Sequence, residues 1–94
     1  MKINKDHPCI CELRRFFSDT MLFTRDELNL TQMEFAEELG IDRRSYIDIE
    51  HSKSFCCALT LLIYLCYFCK DPMVVINKCR EIFDKYFYPR HRVC

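Results

Sequence analysis

Residues 31–53 read TQMEFAEELGIDRRSYIDIEHSK, and the fold is decided here. The pattern is that of two short helices joined by a tight turn. Thr31 is placed to be an N-cap, its hydroxyl oxygen accepting from a free N–H of the first turn, and Glu34 stands three residues on, at the capping-box spacing. Phe35, Ala36 and Leu39 fall on one helical face, with Glu34, Glu37 and Glu38 mostly on the other. Gly40 follows directly and is the only glycine of the chain. A left-handed C-cap is expected there, a conformation other residues adopt only at a cost. Ile41 is an apolar plug. Asp42 is the expected cap of a second helix, RRSYIDIE, whose inward positions are Tyr46 and Ile49. Ala36 is small where the two helices cross; a bulkier side chain would push them apart.

Upstream of this stretch, residues 1–7 are polar, and Pro8 suits a first helical position. From Cys9 to Leu28 the apolar stripe runs through Ile10, Leu13, Phe16, Phe17, Met21, Thr24 and Leu28. It fits one long helix, or two broken near the cap-like Ser18–Asp19. Downstream, His51–Phe55 is a short loop. Ala58–Phe68 reads as a helix with Leu61, Leu62, Leu65 and Phe68 as core candidates, and it is apolar almost all round, so cover on more than one face is expected. Asp71–Pro72 is a clean helix start. The last helix, Met73–Phe87, carries a wide stripe of Met73, Ile76, Cys79, Ile82, Phe83, Tyr86 and Phe87, part of which is expected to meet a second copy. The tail YPRHRVC is basic.

Ninety-four residues, half of them hydrophobic, are enough for one domain with one core. Glycine and proline are scarce, so loops should be short, and the long unbroken stretches carry helical periodicity. Fourteen basic residues balance fourteen acidic ones, so no net field draws the protein to a polyanion. The start, MKINKDHPC, has no apolar core, so no secretory leader is expected, and Ala58–Cys69 is too short to span a bilayer. A cytoplasmic protein follows, and with it eight cysteines as reduced, mostly small buried hydrophobes. A zinc site from Cys9, Cys11, Cys66 and Cys69 is the minor alternative. There is no Gly-rich phosphate loop, and His7, His51 and His91 are scattered with no nucleophile spacing around them. Neither an enzyme, a cofactor nor a small-molecule site is expected.

The stretch LTQMEFAEELGIDRRSYIDIEHSKS closely resembles the helix-turn-helix of the Cro and phage-repressor-like (XRE-type) DNA-binding domains. The resemblance is carried by Leu30, Thr31, Gln32, Ala36, Leu39, Gly40, Ile41, Ile49, Glu50 and Lys53, and runs more loosely from about Met21 to about Phe68. It implies an all-α, five-helix lambda-repressor-like bundle containing a helix-turn-helix, with Cys9–Phe17 as an extended first helix or an extra N-terminal helical segment. One domain spans 1–94, with its core at about 18–70, the motif at 31–53 and the last helix at about 72–87. Three positions depart from the family. Ser52 stands where Gly is usual, so the turn after the second motif helix is expected to be strained or rebuilt. Tyr46 replaces a branched aliphatic and would set that helix slightly further out. Cys57 stands where a capping Ser is common.

The function implied is a sequence-specific DNA-binding transcriptional regulator, with the 42–50 helix reading the major groove. Asp42, Arg43, Arg44, Ile47 and Asp48 match positions that reach base edges: Arg bonds bidentately to guanine, Asp accepts from cytosine, and Ile touches a thymine methyl. Thr31, Gln32, His51, Ser52 and Lys53 match phosphate-contacting positions. Arg25 matches an Arg that pairs with the Glu ending the recognition helix, here Glu50. A homodimer through the last helix, with help from the apolar face of Cys9–Phe17, would read a palindromic duplex site. Against this, Thr31–Ser54 holds six acids and three bases, which weakens nonspecific affinity for phosphate. The alternative is a helix-turn-helix interaction module in a regulatory or toxin–antitoxin complex, without DNA contact.

Overall fold

The computed structural model describes residues 7–87. Five α-helices succeed one another: α1 (Pro8–Leu28), α2 (Gln32–Leu39), α3 (Arg43–Glu50), α4 (Ala58–Ile63), which runs on into a π-helical turn (Tyr64–Phe68), and α5 (Pro72–Phe87). No strand occurs among the described residues. None of these helices is long and apolar enough to cross a membrane.

Helix α1 is a single unbroken helix, and its hydroxyl residues explain why Ser18–Asp19 does not end it. Thr20 and Thr24 each donate to the carbonyl four residues back, at 2.7 and 3.0 Å, while Ser18 donates across to the backbone carbonyl of Glu50. Each hydroxyl is satisfied without taking a helical N–H from its partner. At the start, Pro8 occupies the first turn and His7 Nδ1 accepts from Cys9 N at 3.0 Å. At the end, Asn29 takes the left-handed conformation at φ 56° and its N–H closes on Arg25 and Asp26.

Because α1 is so long, it is shared by two cores. Along its C-terminal half, Met21 is buried with Phe35, Ala36 and Leu39 of α2, Tyr46 and Ile49 of α3, and Tyr64 of the π turn. Phe35 lies edge-on to both Tyr46 and Phe68, with ring centroids 5.4 Å apart in each case. Along its N-terminal half, Cys9 and Leu13 close against Ile82 of α5, flanked by Phe16, Cys79, Tyr86 and Phe87. The apolar face of Cys9–Phe17, expected to help meet a second copy, is therefore covered by the chain's own last helix.

One further expectation about the core is corrected. In α4 and its π turn the innermost residues are Thr60 and Tyr64, not the leucines: Leu61, Leu65 and Phe68 are half-buried and Leu62 is exposed. The buried hydrogen bond between the Tyr64 and Thr24 hydroxyls, 2.9 Å long, turns that side of the helix to α1. Only one face of this apolar helix is covered. In α5 the buried positions are Val75 and Ile82, whereas Met73, Ile76 and Phe83 face out, since α5 has just α1 to pack on over most of its length.

Candidate functional site

The stretch 31–53 forms two helices around a glycine turn. Thr31 Oγ1 accepts from Glu34 N at 3.1 Å, and Glu34 Oε1 accepts from Thr31 N at 2.8 Å, so both halves of the capping box are made. Gly40 sits at φ 77° and returns its N–H to the end of α2. Asp42 stands at the N-cap of α3 with extended backbone, but its side chain makes no capping hydrogen bond. After α3, Ser52 occupies the left-handed region at φ 61°, which favours glycine. There its N–H reaches Ile49 O and the next N–H, of Lys53, reaches Asp48 O at 2.8 Å. Ser52 thus keeps the geometry a glycine would have, at the cost of a strained backbone.

The inner end of α3 is held by one carboxylate. Glu50 Oε2 accepts from Arg25 Nε at 2.6 Å and from the Tyr46 hydroxyl. Its Oε1 accepts from Gln32 Nε2 at 3.1 Å and Arg25 Nη2 at 3.4 Å. Arg25 also donates to Leu30 O at 3.0 Å, so one guanidinium joins α1, the loop before α2 and the end of α3. The side chains of Arg25 and Glu50 are 18% and 6% exposed. Burial alone would raise the Glu50 pKa, but donation from Arg25, Tyr46 and Gln32 outweighs it and holds the carboxyl below its ordinary range. The Tyr46 phenol is driven up, first by burial and then by the carboxylate it donates to. The charge on Glu50 and the proton on Tyr46 are thus fixed together.

The outer face of α3 is built differently. Asp42, Arg43 and Arg44 are exposed, and Ile47 and Asp48 are half-buried. Arg44 Nε stands 3.9 Å from Asp48 Oδ1 on its own helix, a distance and exposure at which an ion pair holds little energy. Of the residues matched to phosphate positions, His51 and Lys53 are exposed and Ser52 is half-buried. Gln32 has one amide hydrogen committed to Glu50, which leaves the other to reach outward. The Thr31 N–H is taken by Glu34, whose carboxylate stands at the α2 N-terminus, where an anion would otherwise be drawn.

Sequence reasoning passed over Ser18, Gln32 and Tyr46 as partners of Glu50. Tyr46 and Glu50 are four residues apart on one helix, a spacing that brings side chains together, so that contact had a signal. Ser18 lies 32 residues from Glu50 and had none. No group of three or more His, Cys, Asp or Glu among the described residues could hold a metal ion. Comparison with protein-family models, characterised proteins and solved structures finds no match for this chain.

Proposed function

We propose that this chain is a sequence-specific DNA-binding regulator of transcription of the Cro and phage-repressor-like type, in which α2, the Gly40 turn and α3 form the helix-turn-helix. Helix α3 enters the major groove with its N-terminal end leading. The observation that carries the reading is the division of α3 into two faces. Tyr46, Ile49 and Glu50 lock its inner side, while Arg43 and Arg44, in its first turn, stand exposed. A helix so anchored presents two guanidinium forks to base edges without itself having to move. Lys53, and the free amide hydrogen of Gln32, would hold the phosphates on either side. Two copies would read a palindrome with half-sites about one turn, roughly 34 Å, apart.

One observation favours a second reading, an interaction module that does not touch DNA. The motif holds twice as many acids as bases, and Glu34 already fills the α2 N-terminus. A protein surface of opposite charge would suit that face better than phosphate does. Selection of bound sites from a pool of random duplexes separates the two. Enrichment of a palindromic motif supports the DNA reading; recovery of an unenriched pool leaves the interaction module.

A further inference from the structure

Helix α4 and its π turn present an apolar face that nothing in the described structure covers. Leu59 is 67% exposed, Leu62 58% and Tyr67 80%, with Cys66 exposed beside them. The π turn aligns them. In a regular α-helix each residue turns about 100°, which would carry Tyr67 round toward the buried side. The π turn closes over five residues instead of four and advances less per residue, so Tyr67 falls back into line with Leu59 and Leu62 while Phe68 swings inward onto Phe35. The result is one continuous apolar stripe ending in an aromatic side chain, the residue type that most often anchors an interface.

We infer that this α4–π face is the self-association surface of the protein, covered by the same face of a second copy. Two observations select a second copy over other occupants. The first is charge: Ser54–Cys69 is sixteen residues long and contains no Asp, Glu, Lys, Arg or His. In a two-fold interface residues near the axis meet themselves, and like charges facing across it repel. A face without charge meets itself freely, and offers nothing to a charged partner. The second is the contrast with α5. Its outward apolar residues Met73, Val74, Ile76 and Phe83 are interleaved with Lys78, Arg80 and Glu81, all exposed. A self-pairing there would set these charges near their own copies.

The inference does not depend on whether α3 binds DNA, and it is tested without DNA. Sedimentation equilibrium of the full chain under reducing conditions should show a monomer–dimer equilibrium. Leu59→Glu and Leu62→Glu, both at exposed positions and both leaving the helical circular dichroism unchanged, should weaken it about tenfold or more, because each would desolvate a carboxylate near the axis. Ile76→Glu on α5 should leave it unchanged. A chain that stays monomeric at high micromolar concentration overturns the assignment. So does a dimer indifferent to Leu59→Glu and Leu62→Glu, or one broken by Ile76→Glu, which would move the interface to the last helix.

Discussion

Arg25 and Glu50, 25 residues apart in the chain, meet with Nε and Oε2 separated by 2.6 Å, and both side chains are largely withdrawn from water. Removing one partner strands the other as a buried charge. Arg25→Ala and Glu50→Ala should each lower the unfolding free energy by about 3 kcal/mol, and the double variant should lose clearly less than their sum. Urea titrations of the four proteins measure this. Two near-neutral single variants would mean that water replaces the missing partner.

The same carboxylate sets an acid limit on stability. Folding lowers the Glu50 pKa, because Arg25, Tyr46 and Gln32 outweigh burial, so the folded state favours the ionised form. The stability this contributes is fully present above the ordinary value of 4.5 and is lost as pH falls through the lower folded value. In Glu50→Gln the proton is no longer taken up there. Plotted against pH, its unfolding free energy should start lower at neutrality and fall less steeply below the ordinary carboxylate range than that of the parent. Parallel curves would assign the acid limit to other carboxylates.

Ser52 offers a substitution that should stabilise. At φ 61° a serine is held in the left-handed region, and glycine adopts that conformation freely, though it gives up more freedom on folding. Ser52→Gly should raise the unfolding free energy by about 0.5–1 kcal/mol. Asn29, at φ 56°, is the internal comparison. Asparagine tolerates this region better than serine, so Asn29→Gly should change stability less. Thermal melts of both variants decide it; a lower melting temperature for Ser52→Gly would show that its side chain contributes more than its backbone costs.

Within the proposed DNA reading, Arg43 and Arg44 carry discrimination and Lys53 carries general affinity. Arg43→Ala or Arg44→Ala should cost about 1–3 kcal/mol on a selected site and little on scrambled DNA. Lys53→Ala should weaken both equally and reduce the slope of affinity against salt by about one. Competition binding on the two duplexes at several salt concentrations measures all three. An arginine variant that loses as much on scrambled as on selected DNA contacts phosphate and not a base.

What was legible in the sequence was local. The Thr31–Glu34 box, the Gly40 turn and the inward Tyr46 and Ile49 each depend on residues within a turn or two of one another, so spacing alone announces them. The unbroken α1 was half legible: Ser18 looks like a cap until its hydroxyl finds Glu50, 32 residues away. The face α4 turns inward was not legible, because every side of that helix is apolar and periodicity cannot choose among equals. A single polar contact, Tyr64 to Thr24, makes the choice. The π turn was invisible for a similar reason, since Tyr64–Phe68 contains nothing that an α-helix would refuse. For the site, the outward set on α3 could be enumerated from its first turn, whereas the commitment of Gln32 to Glu50 required the helices to be folded together.

The way α3 is fastened has a consequence for how this protein can change over generations. Its hold on the rest of the fold is concentrated in Tyr46, Ile49 and Glu50, toward its C-terminal end, while Arg43, Arg44 and Ser45 bear almost none of it. If α3 reads DNA as proposed, substitutions at those three outer positions would be nearly neutral for folding and fully visible to selection on binding. New recognition preferences could then arise by single steps that pass through no unfolded intermediate, and paralogues with divergent targets would be expected to differ at 43–45 before they differ at 46, 49 or 50.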